Sequence, residues 1–178
     1  MTATREKFTA ADYRMLPEGF PAELVDGMLV KEPSPSRWHQ SLAAEVHYRL
    51  RALLGPGRVL ASPVDVFVDH HNVLLPDVLV LASEDRVEPA SDPSAIPILV
   101  VEVLSPATAV RDRDVKAAVY LRAGVREVWL VDPEAETIEV RTPDGSTRYD
   151  ATRAAESCVV DGFRLSFGEL ASPGAGCG

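Results

Sequence analysis

Cysteine is scarce in this sequence, and long apolar runs are missing from it. The 178 residues include two cysteines, Cys158 and Cys177, whose spacing matches no zinc-binding pattern and permits at most one disulfide. This scarcity argues against a disulfide-stapled fold and against a zinc site. No apolar run approaches the roughly 20 residues that a membrane-spanning helix needs, and residues 1–16 lack the apolar segment of a secretory signal. We therefore expect a cytoplasmic protein that does not enter a membrane.

Basic and aromatic residues are also in short supply. The chain has 18 lysines and arginines against 27 acidic residues, which gives a formal net charge of -9 at pH 7. Nonspecific attraction to nucleic acid depends on Lys and Arg, so any contact with nucleic acid requires a local basic patch. Aromatic residues make up 6% of the chain, which disfavours a sugar cleft lined with stacking platforms.

Hydrophobic periodicity and turn signals divide the chain into short elements. Helical spacing and capping residues predict helices at 8–16, 38–54 and 108–124. Extended patterns predict hairpins at 22–32 and 137–150 and strands at 58–68, 72–82, 98–104, 126–132 and 161–170. Polar residues with prolines predict a surface loop at 83–96, and the composition of 171–178 predicts a disordered tail.

The order of these elements predicts an α/β fold. A strand, a helix and a strand follow one another between 98 and 132, which favours parallel strands joined by a right-handed crossover. The strands at 58–68 and 72–82 are joined tightly and favour antiparallel pairing. We therefore expect one domain, residues 1–170, with a mixed β-sheet flanked by helices and with β-hairpins added near both ends.

Two acidic residues interrupt strands that are otherwise apolar. Glu102 lies in the run ILVVEVL at 98–104, whose lack of alternation is typical of a strand covered on both faces. Asp77 interrupts LLPDVLVL in the same way. An ionised carboxylate buried alone would cost several kcal/mol, so each acid needs a positive partner, a metal ion or an opening to solvent. Two such acids on neighbouring strands favour a shared cation, although each alone fits a structural salt bridge.

Lys116 is the candidate positive partner. Asp112, Lys116 and Tyr120 are spaced four residues apart in the predicted third helix and therefore form one stripe on its surface. A helix that crosses back over the sheet can direct this stripe toward the end of the Glu102 strand. The alternative is a surface Asp–Lys pair of little energetic consequence. Arginines around the same helix could supply a local positive field: Arg111, Arg113, Arg122 and Arg126.

A proline-aspartate pair, a glutamate one strand later and then a lysine resemble the motif of the PD-(D/E)XK nuclease superfamily. More closely, the chain resembles the Uma-type branch, also called domain of unknown function 820. The matching stretches are AELVDGMLV at 22–30, PDVLV at 76–80, VVEVLSPAT at 100–108, D-x-x-x-K-x-x-x-Y at 112–120 and AGVREVWLVDP at 123–133. These stretches occur in the family's order and span most of the chain.

The resemblance implies a restriction-endonuclease-like core and hydrolysis of DNA phosphodiester bonds with Mg²⁺ or Mn²⁺. Asp77 and Glu102 would be metal ligands, with the backbone carbonyl of Val103 as a third, and Lys116 would stabilise charge in the transition state. The superfamily usually places its lysine two residues after the acid, where this chain has Leu104. In the Uma-type branch the lysine comes from the following helix, as Lys116 would.

The resemblance also gives supporting roles to residues around this set. Tyr120 falls where related nucleases have an aromatic partner on the helix. Glu23 matches an acid that the branch places at the edge of the metal site, although its hairpin position also fits a solvated side chain. His39 matches the branch pattern as a candidate phosphate contact, while its place at a helix start predicts a side chain that faces water.

Two other interpretations remain compatible with the sequence. The first is a noncatalytic binding or scaffold module on the same fold, which the acidic net charge favours. The second is a hydrolase that uses two carboxylates as acid and base, as glycosidases do. In either case the exposed edges of the hairpins favour a homo-oligomer, most simply a dimer.

Overall fold

The computed structural model describes residues 7–83, 85, 87 and 95–172. The α-helices in these ranges are α1 (Ala10–Tyr13), α2 (Arg37–Leu54), α3 (Ala109–Arg111), α4 (Ala117–Arg122) and α5 (Phe167–Ala171). The strands are β1 (Ala22–Val25), β2 (Met28–Lys31), β3 (Val59–Ala61), β4 (Val66–Asp69), β5 (Asn72–Leu74), β6 (Val78–Val80), β7 (Leu99–Val103), β8 (Glu127–Asp132), β9 (Thr137–Thr142), β10 (Gly145–Tyr149), β11 (Ala155–Glu156) and β12 (Arg164–Leu165).

A mixed central sheet confirms the predicted architecture. Its strands, all within the described residues, follow the order β10-β9-β8-β7-β6-β3. The pair β7 and β8 is parallel, as the predicted crossover requires, and the neighbouring pairs are antiparallel. Both predicted hairpins are present, and the first turns at Asp26 and Gly27, which both have positive φ. Positive φ at both central residues is the requirement of a type I′ turn.

A second sheet was not predicted. Each of the two strands expected at 58–68 and 72–82 breaks into two, and the halves separate. β3 and β6 pair in the central sheet, whereas β4 and β5 join β1 and β2 in a sheet of order β2-β1-β5-β4. Pro63 and Pro76 lie at the breaks and have no N–H to donate to a sheet ladder. The prediction of two continuous strands was therefore wrong, and Asp77 lies before β6 rather than inside a strand.

The central sheet is buried on both faces, as the apolar run of β7 predicts. Val101 and Val103 belong to the core that packs beneath α2, together with Leu42, Val46 and Leu50. Val100 lies in the core on the opposite face, with Ala117 and Tyr120 of the helical crossover. Because side chains alternate along a strand, Glu102 lies on the same face as Val100. It therefore points toward the crossover that carries Lys116.

The crossover between β7 and β8 is not one regular helix. The predicted helix at 108–124 contains a π-helical segment, Asp112–Lys116, between α3 and α4. Its wider turn is seen where the N–H of Ala117 donates to the carbonyl of Asp112, five residues earlier. Such π segments often occur at functional sites. Here the segment begins and ends on the two charged residues of the predicted stripe.

Some predictions fall partly outside the described residues. The predicted tail lies outside them from residue 173 onward, and α5 extends to the first of its residues, Ala171. The predicted loop at 83–96 lies outside them at 84, 86 and 88–94. Among the helices of the described ranges, none is both long enough and apolar enough to cross a membrane.

Glu139 on β9 should make stability sensitive to acid. Burial raises the pKa of Glu139, but hydrogen bonds from Arg148 and Arg141 outweigh burial and hold it below the ordinary 4.5. Because the pKa is depressed in the folded state, this contribution is complete above the ordinary pKa and is lost as the pH falls below it. Urea denaturation should show wild type more stable than Glu139→Gln at pH 7, with the difference shrinking in acid.

The matched control for this experiment is Glu134→Gln, because Glu134 is an exposed turn residue. Its stability should follow wild type at every pH. A difference between wild type and Glu139→Gln that stays constant down to acid pH would contradict the assignment.

Candidate active site

A cleft with a volume of about 1020 Å³ is lined by residues from both sheets. Its lining includes Asp77 before β6, Glu102 in β7 and Lys116 at the end of the π-helical segment. Glu23, in β1, contacts Lys116 from the side of the second sheet. We use the name carboxylate cluster for the acids that meet here: Glu23, Glu32, Asp77, Glu102 and Asp112.

Lys116 lies between two of these acids. Its Nζ atom is 2.7 Å from Oε1 of Glu23 and 2.8 Å from Oε1 of Glu102. Oδ1 of Asp112 is 3.7 Å away. The lysine is 2% exposed, Glu102 is 3% exposed and Glu23 is fully buried. The predicted convergence of Glu102 and Lys116 is therefore confirmed, and the alternative of a surface Asp–Lys pair is wrong.

Further hydrogen bonds fix the orientation of these acids. The buried hydroxyl of Tyr120 donates to Oε1 of Glu102 over 2.9 Å. The N–H of Leu75 donates to Oε1 of Glu23 over 2.7 Å. Both carboxylates are thus held by the backbone or by a rigid aromatic ring as well as by the lysine. Glu23 is therefore not the solvated hairpin residue that the sequence allowed.

Asp77 directly precedes β6, the strand that pairs with the Glu102 strand, β7. Val78, the first residue of β6, lies opposite Val101, so Asp77 and Glu102 are the residues that follow at this end of the pair. Oδ2 of Asp77 accepts a 2.7 Å hydrogen bond from the N–H of Val103. The two acids therefore share one end of the sheet.

His39 does not face water, contrary to expectation. Its side chain is 14% exposed, and its Nε2 atom is 3.3 Å from Oδ2 of Asp77. Ser36 caps the start of α2 by accepting from the N–H of His39, which places the imidazole at the cleft. Burial lowers the pKa of His39, but the hydrogen bond and charge of Asp77 outweigh it and raise the pKa.

The carboxylate cluster carries more negative charge than its neighbours neutralise. Burial raises the pKa of Glu102 well above its ordinary value, although Lys116 opposes the shift. Burial and the nearby charge of Glu23 raise the pKa of Glu32 to about 7. Burial would lower the pKa of Lys116, yet Glu102 and Glu23 outweigh it and raise it, so the ammonium stays charged.

Comparison with known proteins places the chain in a family. Residues 10–167 match the model of the Uma2 family, which is described as "Putative restriction endonuclease". The chain belongs to the Uma2 family. No protein of curated function matches this Uma2 chain.

A solved structure has the same fold as this Uma2 protein. It is the crystal structure of a protein from Anabaena variabilis described as "a putative nuclease belonging to DUF820". The two chains are 21% identical, with a TM-score of 0.78, and the match covers 92% of this chain and 97% of the other. This likeness confirms the mixed α/β fold.

Glu32 was not assigned to the site from the sequence, and Arg111 was expected only as part of a local positive field. Nη2 of Arg111 is 2.5 Å from Oε1 of Glu32 and 3.6 Å from Oε2 of Glu23. Arg113 is paired with Asp132 at 2.9 Å. The positive charges of these two arginines, which were expected to attract DNA, are therefore neutralised by acids of the protein itself. Glu32 follows β2 in a proline-rich stretch, and no local pattern distinguishes it from a surface acid.

The donor chemistry of the carboxylate cluster fits a hard divalent cation such as Mg²⁺, which prefers carboxylate and carbonyl oxygens. Two buried carboxylate oxygens, Oε2 of Glu23 and Oδ1 of Asp112, have no hydrogen-bond partner. Among the described residues, however, no three His, Cys, Asp or Glu side chains are grouped as a ready-made metal site. A ligand set of two carboxylates and the carbonyl of Val103, as the resemblance implies, does not need such a group.

Replacing Lys116 by methionine should destabilise this Uma2 protein by about 3–5 kcal/mol, because buried carboxylates would lose their counter-charge. The measurement is urea denaturation at neutral pH. Lys31→Met is the matched control, since Lys31 is exposed at the end of β2, and it should lie within about 0.5 kcal/mol of wild type. Equal stability of the two variants would contradict a structural role for the buried ammonium.

Proposed function

We propose that this protein is a metal-dependent nuclease that hydrolyses DNA phosphodiester bonds. The observation that carries the proposal is the 2.8 Å contact between Lys116 and Glu102 beside Asp77, with all three lining an open cleft. In an enclosed core, two acids and a lysine of this kind would be explained as a structural ion-pair network. Access from solvent favours a catalytic role over packing, and so does membership of a family described as "Putative restriction endonuclease".

Asp77 and Glu102 would hold the metal ion, with the backbone carbonyl of Val103 as a further ligand and Glu23 at the margin. A bound Mg²⁺ or Mn²⁺ supplies Lewis-acid chemistry, lowering the pKa of a coordinated water and polarising the phosphate. The N–H of Val103 and the imidazole of His39 both contact Oδ2 of Asp77 and hold that carboxylate in place.

Lys116 would stabilise the negative charge that develops on the phosphate during hydrolysis. Its burial excludes water, which strengthens its interaction with charge in the cleft. Glu23 and Tyr120 act as positioning residues in this scheme, because they contact Lys116 and Glu102 respectively. Asp112, at the start of the π-helical segment, adds negative charge 3.7 Å from the ammonium.

A noncatalytic binding module is the second candidate. One observation favours it: Lys116 already pairs with Glu23 and Glu102, so these groups satisfy one another without a metal ion. A nuclease requires the lysine to serve the substrate as well. The two functions differ in whether the carboxylates bind a divalent cation and whether DNA is cut.

The nuclease function predicts a loss of cleavage when a ligand is neutralised. Supercoiled plasmid, in which negative supercoiling opens short unpaired stretches, should be nicked by wild type with Mn²⁺. Asp77→Asn and Glu102→Gln should nick at least about 100-fold more slowly, as expected when a key electrostatic group is lost. Glu127→Gln is the matched control, because Glu127 is a buried acid outside the cleft. Its carboxylate accepts hydrogen bonds from the indole N–H of Trp129 and the hydroxyl of Ser157. Equal nicking by all four proteins would mean that a contaminant cuts the plasmid.

Divalent cations should stabilise the folded protein through the same ligands. At about 100 times the dissociation constant, Mn²⁺ adds about 2.7 kcal/mol to the stability of a one-site protein. Thermal unfolding followed by fluorescence should therefore show a higher melting temperature for wild type with Mn²⁺ than with EDTA. Asp77→Asn should show a reduced response. If Mn²⁺ does not change the melting temperature of wild type, a noncatalytic binding module describes the protein better than a nuclease.

A further inference from the structure

The outer part of the cleft differs in character from the carboxylate cluster. Phe20 and Phe67 both line it, and Phe20 is 38% exposed although it is a large apolar side chain. Proline rings form much of the remaining wall: Pro17, Pro21, Pro33, Pro35, Pro63 and Pro106. Proline restricts the backbone, so these walls are rigid before any ligand arrives. The result is a stiff apolar entrance above a charged interior.

Arg14 lies over one of these aromatic rings. Its guanidinium carbon is 4.2 Å from the centre of the Phe67 ring, and the residue is exposed at the cleft. Tyr13, the preceding residue, fixes the same ring edge-to-face at 6.2 Å. A guanidinium that contacts the face of an aromatic ring can still use N–H groups at the edge of its own plane to contact phosphate. The pair of Arg14 and Phe67 thus combines an aromatic ring with a hydrogen-bond donor for phosphate.

The charge around the cleft is unfavourable to a long double helix. Among the described residues that line it, the acids are Glu18, Glu32, Asp65, Asp77, Glu102 and Asp112, whereas the basic side chains are Arg14, His39 and Lys116. His39 already contacts Asp77. Lys116 is already paired with acids. Duplex DNA carries about one negative charge per 1.7 Å of its axis, and its binding relies on neutralising many phosphates at once. A single strand presents fewer phosphates and exposes the faces of its bases.

We propose that the cleft receives an unpaired DNA strand, whose bases stack on Phe20 and the proline walls while Arg14 contacts the backbone. This inference rests on the proposed nuclease function and names its substrate class. Stacking of bases on aromatic side chains contributes to the binding of a single strand without sequence preference, and a basic side chain beside the stacking surface contacts the backbone. The exposed Phe20 and Arg14 of the cleft provide these two elements.

The test compares two fluorescent probes in the presence of Ca²⁺, using fluorescence polarisation and the full chain. The probes are an oligothymidylate of about 12 nucleotides, within the usual range for single-strand sites, and a duplex of the same length. The oligothymidylate should bind at least about tenfold more tightly. Phe20→Ala should weaken its binding about tenfold, the effect expected for losing one stacked base, and should leave duplex binding unchanged.

Phe8→Ala is the matched control, because Phe8 is 42% exposed and lies outside the cleft lining. It should bind both probes as wild type does. Arg14→Met provides a second test. It should weaken binding of the oligothymidylate and make that affinity less dependent on salt, since a phosphate contact is lost. Equal or tighter binding of the duplex, no binding of either probe, or an unchanged Phe20→Ala would each overturn the inference.

Failure of this inference is distinguishable from failure of the nuclease function. Plasmid nicking that depends on Asp77, combined with a preference for duplex, would leave a nuclease whose substrate is paired DNA. Phe20-dependent binding of oligothymidylate without cleavage of any DNA would leave a single-strand binding module.

Discussion

A buried ammonium shared by two buried carboxylates is the constraint on which this site depends. Lys116 comes from the crossover helix, Glu102 from the central sheet and Glu23 from the second sheet, so one cation joins three elements. Removing one member of such a set leaves buried charge without compensation. The position of the second sheet against the crossover is therefore tied to the same contacts that shape the cleft. A variant of these residues can therefore lose activity because it unfolds, so its stability has to be measured together with its activity.

The crowding of acids around that ammonium is the feature of the fold that favours a divalent cation in the proposed function. Glu32 and Glu102 both have raised pKa values, mainly because they are buried near other acids. The protein can relieve this repulsion by holding protons or by binding a divalent ion. Arg111 relieves part of it, since it contacts Glu32 and Glu23 together. Oε2 of Glu23 and Oδ1 of Asp112 remain without a hydrogen-bond partner, while Asp77 and Glu102 line the open cleft.

The sequence predicts the centre of the site better than its surroundings. Glu102 could be found because an acid in an apolar strand is costly, and Lys116 because helical spacing limits where its ammonium can reach. The π-helical segment could not, since nothing in the sequence of 112–116 distinguishes it from an α-helix. The second sheet could not be predicted, because no local pattern shows that Pro63 and Pro76 divide strands between two sheets. The position of His39 could not be predicted either, because its burial depends on Asp77, which is distant in sequence.

The acidic composition is compatible with a nuclease once the arginines are located. The sequence suggested a basic patch on the crossover, but Arg111 and Arg113 are used to neutralise the protein's own acids. Arg122 and Arg126 are exposed but are outside the cleft lining. In the proposed nuclease, attraction to DNA within the cleft would therefore come mainly from two sources: a divalent cation on the carboxylates and apolar contact with bases. Both act at short range, unlike a broad basic surface, which attracts any polyanion from a distance. A protein built in this way would gain little from random encounters with duplex DNA and would engage a strand chiefly after it has entered the cleft.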